Sequence, residues 1–348
     1  MPKCANGHDS GPRLTCATCG SPVLFDAACE DMCKLPELNP YFGAAAAVSV
    51  GLPTIEASGV NSFSITLGGD TRMAVDSLTL KKLEGGTWLD YYSSYMRVVV
   101  KWLRLIGFSR AQSRLLVADT SNPISVLAMA SPSIEEGTLV FGVVADPDST
   151  PIDRNISYVA LQVAARKKLP ILMAGGRYVD ELACFVEDEG LLVGPQAMER
   201  LLFFSLNFAG DLLDFIKKDI KLGVNHHVFS ALMAASSEVY KNVEDALAVS
   251  GEMVSVDLKP EDVQMAYLLA SSKKELQEEL KAAFDKHCRG FPGLVNSDIR
   301  FLERSSRYGF YDTFTLYGIR EIPSLTKIRE GYDTIVGRAG NLRVEEII

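Results

Sequence analysis

A chain of 348 residues is longer than one hydrophobic core ordinarily grows, so two domains with a small appendage are expected. Its 47% hydrophobic and 23% charged residues suit a globular protein, and no apolar run approaches the roughly 20 residues of a membrane span. The net charge of −9 argues against nucleic-acid binding by the body, and the opening MPKCANGHDS has no apolar leader, so the cytoplasm, where thiols stay reduced or metal-bound, is the expected compartment.

Residues 1–36 are rich in Cys, Gly and Pro and show no sustained periodicity, so they read as a compact separate module. Cys4 and His8 form C-x3-H, and Cys16 and Cys19 form C-x2-C followed by Gly20, which lets backbone amides approach the sulfurs. These four residues make a closed tetrahedral set for a structural Zn²⁺, which replaces the core that so short a segment cannot build. No H-x-E or H-E-x-x-H pattern accompanies them, so a catalytic zinc is disfavoured. Cys29 and Cys33 are alternative ligands to His8, ligands of a second ion, or plain thiols. Scattered core cysteines are the weaker alternative for the whole cluster. Cys184 and Cys288 stand in apolar surroundings and read as core residues. The segment resembles the short zinc-ribbon heads that precede many proteins.

From about residue 60, strand and helix patterns alternate. NSFSITLGG predicts a strand ending in a glycine turn, DTRMAVDSLTLKKL a helix, TWLDYYSSYMRVVVKWLRLIGF a second helix and SRLLVADT a buried strand. TLVFGVVADP is a further strand, ISYVALQVAARKK a helix and LPILMAGG a strand. Strands separated by helices predict a parallel α/β sheet. Residues 194–223 read as a long helix or two abutting, stopped by Gly223. After it NHHVFSALMAASSEVYKNVEDALAVSG reads as helical, DVQMAYLLASS as a strand, KKELQEELKAAFDKHC as an amphipathic helix, and SDIRFLERSS and TFTLYGIREI as strands. NPYFGAAAAVSVGLPT joins the head to the body and has room for an initial strand. The expected domains are residues 1–36, 37–224 and 225–348. Trp88, Tyr91, Tyr92 and Tyr95 read as core packing in preference to a contact surface.

The stretch Gly137 to Leu182 is similar to a segment of the tubulin/FtsZ superfamily, through Val143, Val144, Pro147, the Asp153–Arg154 pair opening a helix, and MAGGRYVDEL. The order of elements in residues 263–322 resembles that family's C-terminal domain, and ITLGGDTRMAVDSL resembles its first strand, glycine turn and helix. The resemblance covers about residues 60–335 and implies a Rossmann-like parallel sheet domain followed by an α+β domain. It further implies a GTP or GDP site at Gly68, Gly69, Thr71, Thr120, Ser121, Asn122, Arg154 and Arg177. Catalytic carboxylates would be Asp211 and Asp214, in one register of NFAGDLLDF. In the other register GVNHHVFSALM supplies Asn225 and His226 and the carboxylate is missing. For Asp211 and Asp214 a solvated helix face is the plainer reading.

Several departures from the family bear on activity. Where the family carries a glycine-rich loop whose bare amides cradle phosphates, this chain has TSNPISVLAMASP after SRLLVAD, with Pro123 lacking an N–H and no glycine. Asp70 follows Gly68 and Gly69 and would face a phosphate with negative charge. Gly175 and Gly176 stand where the family reads guanine with Asn. The expectation is therefore a cytoskeletal or scaffolding protein acting by self-association or through another protein. GTP binding is compatible with the fold, and hydrolysis is disfavoured. The alternatives are an active polymerising GTPase and an unrelated Rossmann-like enzyme with a structural zinc ribbon.

Overall fold

The computed structural model describes residues 3–4, 6–8, 18–19, 23–26, 45–52, 54, 60–135, 137–146, 148–175, 228–234, 243–244, 247, 255–256, 258–301 and 311–319. In chain order the strands are β1 (Lys3–Cys4), β2 (Val23–Asp26), β3 (Ala45–Val50), β4 (Val60–Gly68), β5 (Arg72–Met73), β6 (Ser77–Lys81) and β7 (Ser113–Asp119). There follow β8 (Thr138–Val144), β9 (Ile171–Gly175), β10 (Val228–Ala234), β11 (Val263–Ser272), β12 (Asn296–Phe301) and β13 (Tyr311–Ile319). Four helices are described: α1 (Trp88–Leu105), α2 (Pro123–Ala130), α3 (Pro151–Arg166) and α4 (Gln277–Cys288).

The strands form one sheet in the order β1-β2-β5-β6-β4-β3-β7-β8-β9-β10-β13-β11-β12. From β6 through β10 every pairing is parallel. Parallel strands are covered on both faces, so they must be apolar on both, and the inner strands are: Val48, Val50, Leu115, Leu116, Val117, Leu139, Val140, Phe141, Ile171 and Leu172 are all sealed from solvent. Beyond β10 the direction changes. β13 pairs antiparallel with β10 and β11, and β12 runs parallel to β11 at the edge. This is the Rossmann-like sheet with an α+β extension that the strand and helix pattern predicts.

Local chemistry fixes the helices. Thr87 caps α1 through a capping box, accepting from the Asp90 amide at 3.4 Å while its own N–H donates to Asp90 Oδ2 at 2.7 Å. The Thr87 hydroxyl, donating to Asp90 Oδ2 at 2.7 Å, and the Thr87 N–H together hold the Asp90 carboxyl below the usual carboxylate range. Gly107, with φ of 65°, turns the chain after α1. Trp102 on the buried face of α1 meets Phe63 edge to face and donates its indole N–H to the Ala74 carbonyl at 2.9 Å. Tyr91 is buried, and Trp88, Tyr92 and Tyr95 pack against the core, so the aromatic cluster is packing as expected. Thr150 caps α3, accepting from the Asp153 amide and donating to Asp153 Oδ2. At the other end of α3, Lys167 Nζ donates to the Met129 and Ser131 carbonyls at 2.9 and 2.6 Å, tying the last turn of α2 to its neighbour. Burial pulls this ammonium down to about 8, with Glu135 opposing the shift.

One predicted helix is a pair of strands, and another contains a strand. DTRMAVDSLTLKKL forms β5 and β6, because Leu78 and Leu80 alternate with half-buried Ser77 and Thr79 and the period of two wins over the apolar spacing that suggested a helix. Within NHHVFSALMAASSEVYKNVEDALAVSG, Val228–Ala234 forms β10, which the β9 and β13 ladders hold extended, while Val243, Glu244 and Leu247 are helical. The joining segment contributes β3, which lies at the middle of the sheet. The predicted helix over 194–223, and Arg177, Asp211, Asp214, Asn225, His226, Cys16, Cys29, Cys33 and Cys184, lie outside the described residues.

Between α4 and β13, His287 Nε2 lies 2.7 Å from the Tyr317 hydroxyl, with Phe291 edge-on to the imidazole ring at 5.2 Å. Burial holds the imidazole below its usual value and pushes the adjacent Cys288 thiol up to about 11. Cys288 is buried, as expected.

Two predictions follow from this packing. Trp102→Phe strands the Ala74 carbonyl and should cost about 1–3 kcal/mol in urea unfolding. For His287, the unfolded chain takes up a proton near pH 6.5 and the folded chain only below that, so this residue's share of stability is complete above pH 6.5 and lost on acidification. The stability difference between wild type and His287→Gln should therefore shrink as pH falls below about 6.5.

Candidate functional site

Strand order reverses between β3 and β7. From β3 the sheet continues outward to β4 and β6, and from β7 to β8 and β9. In an open parallel sheet such a reversal leaves a crevice beyond the carboxyl ends of the two strands, where ligands bind. Here it is bounded by Gly51 and Leu52 after β3, by Asp119 at the end of β7 and by Thr120 to Asn122, where the chain enters α2. Thr120, Ser121 and Asn122 are thus in the crevice. Gly51 and Asp119 belong to it as well, although the sequence alone did not point to them.

An anion held at such a site needs free backbone N–H groups, so the amides along this turn decide what it can do. The Thr120 amide donates to the Val143 carbonyl at 2.9 Å, Ser121 to Asp119 Oδ1 at 3.0 Å, and Asn122 to the Asp119 carbonyl at 3.0 Å. Pro123 has no N–H. The Ile124 amide donates to Asn122 Oδ1 at 3.1 Å and the Ser125 amide to the Asn122 carbonyl at 2.9 Å. Across the crevice the Gly51 amide donates to the Ile65 carbonyl at 2.9 Å. Each of these amides is committed within the protein.

The side chains are committed too. Thr120 is fully buried and its hydroxyl donates to the Val143 carbonyl, with Ser157 Oγ alongside. The Ser121 hydroxyl donates to Asp119 Oδ1 at 2.6 Å. Asn122 is the N-cap of α2, and its amide group lies over Gly51: a Cβ on that glycine would stand 2.5 Å from Asn122 Nδ2. Gly51 has φ of +69°, so glycine is required both by backbone conformation and by this close approach. The positive end of α2 therefore faces the protein's own Asn122 oxygen and Asp119 carboxylate. Asp146 and Asp148 on the β8–α3 connection and Asp153 in the first turn of α3 add negative charge at the same end of the sheet.

Gly68, Gly69 and Thr71 lie one strand out, at the end of β4, with β3 between them and β7. The turn they form leads into β5 and not into a helix, since Thr71 Oγ1 accepts from the Lys81 amide at 3.1 Å and Gly68 sits against the Thr79 methyl. The strand bordering the crevice on this side is β3. Only residues 51–59 connect it to parallel β4, fewer than the dozen or more that a crossover ordinarily takes. Arg154 stands in the first turn of α3, its amide donating to the Thr150 carbonyl.

In the cysteine-rich segment, β1 and β2 pair antiparallel, Cys4 facing Val23. His8 Nδ1 lies 3.4 Å from Cys19 Sγ, and Asn6 Nδ2 donates to the same sulfur at 3.5 Å. Among the described residues no group of three or more His, Cys, Asp or Glu side chains gathers as a metal site. Nor is any helix among them long and apolar enough to cross a membrane.

No protein-family model matches the chain, and no curated protein matches its sequence. Solved structures do match the fold. CetZ from Methanosaeta thermophila strain DSM 6194 superposes with a TM-score of 0.59 at 10% identity, over 85% of this chain and 92% of that one. CetZ2 from Haloferax volcanii, a GTPγS-bound protofilament, gives 0.51 at 12% identity over 84% of this chain and 99% of its own. CetZ1 from Haloferax volcanii, a GDP-bound monomer, gives 0.50 at 10% identity over 71% and 77%. The fold is tubulin/FtsZ-like.

Gly51→Ala should destabilise the protein by about 1–3 kcal/mol through the left-handed backbone. The contact with Asn122 adds to this, so Gly51→Ala combined with Asn122→Gly should lose less than the sum of the two single changes in thermal unfolding.

Proposed function

We propose that this chain is a tubulin/FtsZ-type cytoskeletal or scaffolding protein that works through contacts with its own copies or with a protein partner. In this reading the nucleotide crevice has closed on the protein's own groups, so GTP or GDP is not needed for the fold and hydrolysis is lost. The observation that carries it is the amide accounting at the crevice: the N–H groups of Thr120, Ser121, Asn122, Ile124, Ser125 and Gly51 are all spent internally, and Pro123 has none. The protofilament and nucleotide-bound states of the similar CetZ proteins support the class of protein and not the chemistry of this site.

The expected division into residues 1–36, 37–224 and 225–348 belongs to this reading, with the first part a zinc module held by Cys4, His8, Cys16 and Cys19. The second reading, an active polymerising GTPase, is favoured by Gly51, whose left-handed backbone at the mouth of the crevice would admit a phosphate were Asn122 to swing aside. In that case Gly68, Gly69, Thr71, Arg154 and Arg177 flank the ligand, and Asp211 and Asp214 are the carboxylates that would orient water.

Protein purified under native conditions and then denatured should release substoichiometric guanine nucleotide, and GTP should leave its melting temperature and its sedimentation unchanged. Stoichiometric GTP or GDP in the released fraction overturns the closed-crevice reading and returns the active GTPase.

A further inference from the structure

The sequence motif that the crevice leaves unused is the cysteine-rich head, and three observations about it converge. The first is distance. With a Zn–N bond of about 2.0 Å and a Zn–S bond of about 2.3 Å at the tetrahedral angle, two ligands of one ion stand about 3.5 Å apart. His8 Nδ1 and Cys19 Sγ are 3.4 Å apart. The second is polarity. The Asn6 amide donates to the same sulfur, so two polar groups converge on it, as they do around a thiolate ligand.

The third observation is where the pair lies in the fold. Cys4 is on β1, His8 follows β1, and Cys19 comes just before β2, so an ion at this point closes the β1–β2 hairpin. That hairpin is no detached head. β2 pairs antiparallel with β5, Phe25 facing Met73 and Asp26 facing Arg72, and β5 pairs in turn with β6 of the parallel sheet. Met73 belongs to the buried core. Without β2, the outward N–H and C=O groups of β5 would be an open sheet edge.

We propose that His8 and Cys19, together with Cys4 and Cys16 from the C-x3-H and C-x2-C spacing, bind one Zn²⁺, and that this ion holds the β1–β2 hairpin as a cap on the β5 edge of the sheet. The inference rests on the zinc-module reading above and adds the coupling of the metal to the edge of the body. A hairpin of two short strands is not stable alone in water, so the metal supplies the closure and the sheet supplies the docking edge.

The test uses the full chain. Metal analysis of the purified protein should find one Zn²⁺ per molecule, lost in Cys19→Ser and in His8→Ala. Hydrogen exchange before and after treatment with a zinc chelator should show faster exchange in peptides covering residues 72–81, unchanged exchange in residues 113–119, 138–144 and 171–175, and recovery when Zn²⁺ is restored. Absence of zinc from the wild-type protein, under purification without chelator, overturns both the zinc module and the edge cap. Bound zinc retained in both variants overturns the ligand set. Zinc that is bound and removable with no change in exchange at residues 72–81 overturns the edge cap and leaves the zinc module standing. Should the variants fail to fold, chelation of the wild type and Co²⁺ substitution, read by the absorption of a tetrahedral thiolate site, decide the same points.

Discussion

The position of β3 organises this molecule. It is a six-residue strand, half of it alanine, and it has parallel neighbours on both sides: Ala45 to Val50 pair with Val60 to Ile65 of β4 and with Ser113 to Ala118 of β7. A strand enclosed in this way needs uncharged, apolar side chains, which Ala46, Ala47, Val48 and Val50 provide. Because β4 and β6 lie to one side and β7, β8 and β9 to the other, β3 also fixes the reversal of strand order, and with it the place where a ligand crevice opens. The helices follow from that frame. α2 packs between α1 and α3, and Lys167 ties the end of one to the end of another.

At the crevice, the chain's own side chains take up the amides of the turn. The energy of an anion site at a strand–helix turn lies in amides that have no other partner. Here Asp119 and Asn122 supply that partner from within, the first with a carboxylate on Ser121, the second with a cap on Ile124. Pro123 contributes a preset backbone dihedral and no donor. The helix is well started by these residues, and the turn is satisfied without a ligand. A competing phosphate would have to displace a carboxylate and a cap, and would meet the negative charge of Asp119 on arrival.

Much of the fold could be read from the residues. β4, β7, β8, β9 and β11 are apolar runs or alternations bounded by turn residues, and α1, α3 and α4 have helical spacing with threonine caps or charged outer faces. What was misread is physical in origin. β3 has too little side-chain bulk to look like a central strand. β5 and β6 carry apolar residues whose spacing suits a helix almost as well as a hairpin, and the edge they extend decides between the two. β10 has helix-favouring Ala, Leu and Met, and its place between β9 and β13 overrides them. The site suffered most from this. Thr120, Ser121 and Asn122 were legible because they follow a clear strand. Gly51 was not, because the importance of the turn after β3 comes from the order of strands in space and not from the turn itself. Asp119 was passed over as the last residue of a strand, and its role appears only when the amides around it are counted.

The far edge of the sheet has a consequence of its own. β12 closes the sheet beside β11, and along it Ser297, Asp298 and Arg300 are exposed. A strand from another molecule adding there would have to bring its backbone against charges of both signs and strip them of water. Growth of the sheet from molecule to molecule, the ordinary route from a long β-structure to insoluble aggregate, is disfavoured at that side by Asp298 and Arg300. Were the protein to associate as proposed above, this edge would be the side least suited to carry the contact.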